Sequence, residues 1–330
     1  MCRTSTSFET ASRPIALYRA MLRIRLVEEE IARRYAAQQM RCPVHLSIGQ
    51  EAPAAAFGFA LTAEDQALST HRSHAHYLGK GGDLNAMIAE LYGKATGCCG
   101  GRGGSMHLSD PRAGFLASTA IVGNSIPLGV GVALAQQLRG DKTLTCVFFG
   151  DGATEEGAFY EAANFAALRQ LPVLFACENN LYSVYSPLSK RQPASRDLCV
   201  LAEALGVPAV RVDGNDALAV EAAAEQAVAA IRAGGGPRFV ECTTYRWREH
   251  CGPNYDDELG YRPEGELAAW QARDPLPRLA RTLSLTEADQ QAMAAEIAAE
   301  IGLAFELALA APYPDASTAL DGIYRTELAS

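Results

Sequence analysis

The chain has 330 residues, 48 % of them hydrophobic, carries a net charge of −9 and contains nine cysteines. That apolar fraction supports a large core and rules out a disordered chain, while the acidic balance, with no basic run interleaved with aromatics, argues against a nucleic-acid partner. No apolar run reaches the length of a membrane span, and the opening "MCRTSTSFETASRP" has no apolar signal core, so residues 1–13 read as the polar leader of a cytoplasmic protein.

Apolar residues at helical spacing (Ile15, Leu17, Leu22, Leu26, Ile31) predict a long helix over 14–40, and a second helix begins near Gly49. "ALST" (67–70) reads as a short strand, followed by "HRSHAHYLGKGG"; residues 93–125 are too glycine-rich for regular structure. "PLGVGVALAQQL" (127–138) reads as a helix packed closely through Gly129 and Gly131. That glycine pair only partly resembles a dinucleotide fingerprint, because it lacks the third glycine and a preceding strand. Regular alternation follows: strand 143–149, helix 155–168, strand 173–177, helix 196–206, strand 209–212, helix 216–233 and strand 238–245. Helical stretches over 267–283 and 286–311 complete the chain. The odd cysteine count, with no CxxC pair, argues against a disulfide framework or a structural zinc site. Cys146, Cys177 and Cys242 lie in strand-like runs and read as small hydrophobes.

Strands apolar on both faces, alternating with helices, predict an α/β fold: a mostly parallel sheet covered by helices on both faces. With no internal repeat and no clean linker, residues 14–330 form a single domain, with its sheet core at about 65–245 and a helical extension over 262–330.

"FFGDGATEEG" (148–157) sets Asp151 between two glycines at the end of an apolar strand. A strand-to-helix turn accounts for those residue types on their own. The following helix of about fourteen residues runs back roughly 20 Å, about the span of a six-residue strand. Asp151 and "ENN" (178–180) therefore emerge at one carboxyl edge of the sheet, where open α/β proteins bind ligands. Magnesium takes oxygen ligands and is commonly shared between one or two carboxylates and substrate phosphates. Asp151 offers one carboxylate and an asparagine a neutral amide oxygen, while the small glycines admit a diphosphate to backbone N–H groups.

"GDG" (150–152), twenty-six residues, then "NN" (179–180) resembles the signature of thiamine-diphosphate enzymes. Over residues 14–280 the chain resembles one branch, the α subunit of the decarboxylating component of 2-oxo acid dehydrogenase complexes, including the pyruvate and acetoin enzymes. Six blocks carry that likeness in order: "HLSIGQEA", "STHRSHAHYLGKG", "GRGGSMH", "IVGNSIPLGVGVALA", "GDGATEEGAFYEAANFAALRQLPVLFACENNLYS" and "TYRWREHCGP…GYR". The resemblance implies a thiamine-diphosphate-binding fold of the diphosphate-binding type, with Mg2+ held by Asp151, Asn180 and the carbonyl of Tyr182. Asn179 is then a turn former. Gly152 and Ala153 would meet the diphosphate through their backbone, Arg72 and His71 its phosphates, and the backbone near Val122 the aminopyrimidine. His45 matches the family's substrate-side histidine, and His250 the histidine on the loop over the cofactor. His74 and His76 stand equally for a site or a structural role, and His107 for a structural one.

The family departs from this chain at "REHC" (248–251), where many relatives read "HGHS", at His71, where many have tyrosine, and at "RCPVH", which lacks a glycine before the histidine. The departures at "REHC" and "RCPVH" are expected around the pocket mouth. The carboxylic acid that activates the aminopyrimidine has no compelling candidate, with Glu51 and Glu178 the two available. In the family it comes from a β subunit. The resemblance thus implies the α half of a heterotetramer of two α and two β chains. Its reaction would be decarboxylation of a short, pyruvate-like 2-oxo acid, or cleavage of acetoin, with the two-carbon unit passed to a lipoyl group on a separate acyltransferase. The alternatives are carboligation, delivering that unit to an aldehyde or ketone to form an acyloin, and a catalytically silent scaffold subunit.

Overall fold

A computed structural model describes residues 12–321. Most of the expected leader (residues 1–11) and the last part of the C-terminal extension (322–330) lie outside the described residues. The described strands are, in chain order, β1 (Gln66–Ser69), β2 (Phe115–Ser118), β3 (Thr145–Gly150), β4 (Val173–Asn179), β5 (Tyr182–Ser183), β6 (Ser186–Pro187), β7 (Ala209–Asp213) and β8 (Arg238–Thr243). Six of them pair in the order β2-β1-β3-β4-β8-β7, every neighbouring pair parallel, and β5 and β6 form a separate antiparallel hairpin.

Alternation of side chains across each strand divides the apolar residues between two layers. Cys146 and Phe148 of β3, with Leu174 and Ala176 of β4, pack under the helices Arg13–Tyr35, Glu51–Ala60, Ala217–Arg232 and Glu287–Ala310. Val147 and Phe149, with Val173, Phe175 and Cys177, pack under Ser125–Arg139, Gly157–Arg169 and Leu198–Ala204. A sheet sandwiched in this way needs strands apolar on both faces, which is the pattern the sequence shows. The C-terminal helix joins the first layer through Ile297, Ile301 and Phe305, so the extension is part of the core.

Three expectations are corrected. The N-terminal helix ends at Tyr35, short of residue 40, where Gln38 turns the chain at a φ of 56°. Residues 93–125 are not wholly irregular, because Phe115–Ser118 forms the edge strand β2. Four residues leaving a turn at Gly114 give too short an alternation to stand out from the glycines around them. Only Gly129 of the pair in the helix Ser125–Arg139 packs closely: a Cβ there would lie 2.2 Å from Val147 Cγ2, whereas Gly131 has no neighbour within 4 Å. Residues two apart on a helix point to different sides, so one stripe cannot use both.

The helix Leu84–Leu91, unassigned by the sequence reading, is capped by the Asp83 side chain and carries Glu90. Its buried carboxylate accepts the backbone N–H groups of Cys99 at 2.8 Å, Gly101 at 2.9 Å, Gly103 at 2.6 Å and Gly104 at 3.2 Å. An anion thus satisfies the backbone of the glycine-rich loop without any ladder. The helices Glu51–Ala60 and His74–Gly79 cross where Gly58 and Gly79 meet, and a Cβ on Gly58 would lie 2.0 Å from the Gly79 carbonyl oxygen. Gly58→Ala must push the helices apart, and the expected loss is about 3 kcal/mol, the upper end for overpacking. The urea unfolding midpoint measures it.

Candidate active site

The strand order reverses between β1 and β3: the chain leaves β1 toward β2 on one side and resumes at β3 on the other. Loops diverging from such a point open a crevice at the carboxyl edge. After β1 come Thr70, His71 and Arg72; after β3, Asp151, Gly152 and Ala153; after β4, Asn180 and Tyr182, and all of them line one cavity of about 170 Å³. Val122, His45 and His250 line the same cavity and complete the set of expected site residues. The register pairs Gly150 with Glu178, so Asp151 and the two asparagines leave adjacent strands at the same level.

Two residues have left-handed backbone here: Leu181 at φ 73° in the turn after β4, and Val184 at φ 55° in the turn of the β5–β6 hairpin. Such conformations are unfavourable for bulky or branched residues and mark places where the surroundings impose the geometry. They carry Tyr182 and Ser183 back onto the cavity. Asn179 turns away, donating to Glu241 Oε1 at 2.8 Å, whereas Asn180 accepts the Tyr182 N–H on its Oδ1 at 3.2 Å.

Asp151 is 1 % exposed. Burial pushes its carboxyl pKa up, and the Arg191 guanidinium, paired with both Asp151 and Glu155, pulls against that shift. At Gly152 an added Cβ would sit 2.9 Å from Ser183 Oγ, so only glycine lets the two loops approach.

On the other wall, His45, His71 and His250 form a triangle with ring centroids 4.7, 5.0 and 5.2 Å apart. Burial, reinforced by the Arg72 guanidinium, lowers their pKa values to about 3, 2 and 3 respectively, so all three imidazoles are neutral near pH 7. Arg72 is itself lowered to about 9 by burial and by Arg246. Its guanidinium donates to the carbonyls of Leu46 at 2.5 Å and His250 at 3.3 Å, tying together the two loops that carry His45 and His250. The 43–50 loop also meets the loop after β8 directly, because Trp247 N–H donates to the Ile48 carbonyl at 3.0 Å and Gly252 N–H to the Val44 carbonyl at 2.8 Å.

The remaining candidates have other engagements. His74 bonds Ser105 Oγ at 2.7 Å and lies 3.3 Å from Glu28 Oε1, and His76 lies between Ser69 Oγ at 2.8 Å and Glu178 Oε1 at 3.0 Å. His107 is exposed and outside the cavity lining. Glu51, fully buried, is held by Arg25 at 2.8 Å and by the Gly49 N–H at 2.9 Å, away from the cavity. Glu178 lines the cavity between His76 and Gln50.

Gln50, on the cavity wall, and Arg191, which pairs with Asp151 from outside the lining, escaped sequence reasoning. Gln50 stands inside "HLSIGQEA", so the block pointed to it although its chemistry did not. Arg191 lies in a polar stretch with no pattern of its own, and only the fold brings it to Asp151.

Residues 19–317 match the dehydrogenase E1 component family. The chain belongs to that family. It is 37 % identical to the chloroplastic pyruvate dehydrogenase E1 component subunit alpha-3 of Arabidopsis thaliana, over 96 % of this chain and 75 % of that one. It is 37 % identical to the alpha subunit of the acetoin:2,6-dichlorophenolindophenol oxidoreductase of Bacillus subtilis, over 96 % of this chain and 94 % of that one. The pyruvate dehydrogenase E1 component subunit alpha of Rhizobium meliloti is 35 % identical, over 91 % of this chain and 86 % of its own. No described helix is long and apolar enough to cross a membrane.

In this E1 component only His250 of "REHC" lines the cavity. Arg248 is paired with Glu29 and stacks over Tyr255 at 4.1 Å, Glu249 accepts the Asn254 N–H at 2.9 Å, and Cys251 is exposed. Cys42 of "RCPVH" sits under the glycine-rich loop, where a Cβ on Gly104 would come within 2.8 Å of it. Apart from His250, the side chains at these departures serve the loops that flank the cavity.

The neutral imidazoles have a measurable consequence. Their folded pKa values lie below the 6.5 of a free histidine. As pH falls below about 6.5 the unfolded chain binds protons that the folded chain refuses, so stability declines toward pH about 3. His71→Gln removes one such group. The urea midpoint of the variant should fall less steeply between pH 7 and 4 than that of the wild type.

Proposed function

We propose that this E1 component is an α subunit that holds magnesium and thiamine diphosphate in the cavity described above, working with a β subunit in a cytoplasmic heterotetramer of two α and two β chains. Its reaction is decarboxylation of a short, pyruvate-like 2-oxo acid, or cleavage of acetoin, with transfer of the two-carbon unit to the lipoyl group of an acyltransferase. The observation that carries this reading is the meeting of Asp151, Asn180 and Tyr182 with Arg72 and three histidines on one cavity.

The donor set suits the group. A carboxylate, an amide oxygen and a backbone carbonyl are hard oxygen ligands of the kind magnesium takes, and they leave coordination positions for phosphate oxygens. Asp151 and Asn180 would bind the cation together with the Tyr182 carbonyl, and Arg191 would share or release the Asp151 carboxylate. Gly152 and Ala153 would give the diphosphate backbone access, Arg72 and His71 would face its phosphates, and Val122 the aminopyrimidine. Thiamine diphosphate supplies, when bound, the carbanion that attacks the oxo carbon and the electron sink for decarboxylation.

The protein has three further tasks. Neutral imidazoles carry one donor and one acceptor nitrogen each, so His45 and His250 can hold a substrate carboxylate, or the oxo oxygen as it gains charge, by donation. Burial of the histidine wall excludes water from the reacting centre. Activation of the aminopyrimidine needs a carboxylic acid, yet both carboxylates among the described lining residues are engaged, Asp151 by Arg191 and Glu178 by His76 and Gln50. That supports a glutamate supplied by the β subunit. Nothing in the cavity favours the carboligating alternative, and retention of the whole oxygen donor set argues against a silent scaffold.

Calorimetry with Mg2+ and thiamine diphosphate tests the reading. In the assembled enzyme, Asp151→Asn should weaken cofactor binding at least about 100-fold, beyond what loss of an outer-sphere partner produces, with Arg191 left to Glu155. Unchanged affinity would remove Asp151 as a ligand. His45→Ala should lose turnover with cofactor still bound, measured by oxo-acid decarboxylation against calorimetric affinity. The α chain assayed alone should not turn over, and full activity without a partner would overturn the subunit assignment.

A further inference from the structure

The ligand set has one ambiguous member. Either oxygen of Asp151 serves a cation, but Asn180 carries an oxygen at one end of its amide and two N–H donors at the other. Turned the wrong way, it would aim hydrogens at the metal. Its Nδ2 donates to Gln50 Oε1 at 3.0 Å. Gln50 has the same ambiguity, and Glu178 resolves it: Gln50 Nε2 donates to Glu178 Oε2 at 3.3 Å. An ionised carboxylate only accepts, so the amide must show it the NH2 end, leaving the Gln50 oxygen for Asn180. Asn180 must then spend its own NH2 on Gln50, and its oxygen is left to face the cavity and the Tyr182 N–H.

The far end of the chain is anchored as well. His76 meets Glu178 Oε1 at 3.0 Å and Ser69 Oγ at 2.8 Å, and its ring stacks on Phe148 with centroids 4.0 Å apart. Ser69, His76, Glu178, Gln50 and Asn180 are all buried. A reversed amide would leave donors facing donors.

We propose that Gln50 is a positioning residue: backed by Glu178, it locks the Asn180 amide with its oxygen toward the cation. The inference rests on the cofactor reading above and deepens it, because it assigns a function to a cavity residue that contributes no ligand itself.

The test is a double-substitution cycle on the assembled enzyme, reading Mn2+ affinity by electron paramagnetic resonance at saturating thiamine diphosphate. Gln50→Leu frees the Asn180 amide to rotate, and Mn2+ affinity should fall roughly tenfold, the scale of a lost outer-sphere partner. In an Asn180→Asp background both ends of residue 180 are oxygen, so Gln50→Leu should cost no affinity there. Unchanged Mn2+ affinity in Gln50→Leu overturns the proposal. So does the same fold-loss in both backgrounds, which is what a merely structural role for Gln50 produces. If Gln50→Leu does not assemble, Gln50→Met runs the same cycle with a flexible side chain. A wild-type enzyme that takes up no Mn2+ with thiamine diphosphate would overturn the cofactor reading itself and this inference with it.

Discussion

Charge cannot be buried alone, and the loops of this protein are arranged around that constraint. An unpaired carboxylate or guanidinium taken out of water is strongly destabilising, and removing one partner from a buried pair typically costs about 3–5 kcal/mol. Asp151 is answered by Arg191 from the segment beyond the β5–β6 hairpin, and Glu51 by Arg25 of the first helix. Asp256 is answered by Arg246 and Arg262, and Glu90 by four backbone N–H groups of the glycine-rich loop. In each case the partners are distant in sequence or belong to different elements. The buried charges therefore act as clasps that fix irregular segments, which have no ladder of their own, relative to a rigid sheet.

The clasps also explain why the cavity can be assembled from segments far apart in the chain. β3 and β4 deliver Gly150 and Glu178 by strand register, and Thr70 follows directly on β1. The histidine-bearing loops have no such register. They are brought to the sheet by Arg72, whose planar fork reaches the Leu46 and His250 carbonyls at once, and by the N–H groups of Trp247 and Gly252. A residue read from the family as a phosphate contact thus also holds the walls of the site, and substituting it would disturb both tasks together.

What was legible in the sequence follows the same division. Strands buried on both faces announce themselves as apolar runs, so β3, β4 and β8 were found with boundaries shifted by a residue or two, and the parallel sheet with them; the part-exposed edge strand β7 was found from its place in the alternation with helices. Asp151 and Asn180 were placed on one edge by helix length and strand length, quantities any βαβ unit fixes. The histidines came only from the resemblance, since a lone histidine has no period. Arg191, Gln50 and the Glu90 clasp were illegible for a shared reason: a buried polar contact depends on where two loops end in space, and loop geometry leaves no repeating pattern. β2 was hidden because its four residues close a long glycine-rich stretch whose composition masks any alternation.

The two walls of the cavity differ in kind, and the difference shapes how a substrate would be handled. One wall offers hard oxygens around Asp151, and the other offers neutral imidazoles under Arg72 and Arg246. Positive charge is held near the imidazoles, so a proton is refused before any anion arrives, and the rings keep their acceptor nitrogens free. Under the proposed function the arriving oxo acid brings a carboxylate into that field. A negative charge at contact distance favours the protonated ring, opposing the guanidinium groups and burial that hold the values down. Proton uptake at the histidine wall is then coupled to occupancy by an anion: the wall is a poor base when it holds no acid and a better one when it does. Exchanging a lysine for Arg72 would weaken that coupling, because a single ammonium could not span the Leu46 and His250 carbonyls while keeping its charge fixed between the rings.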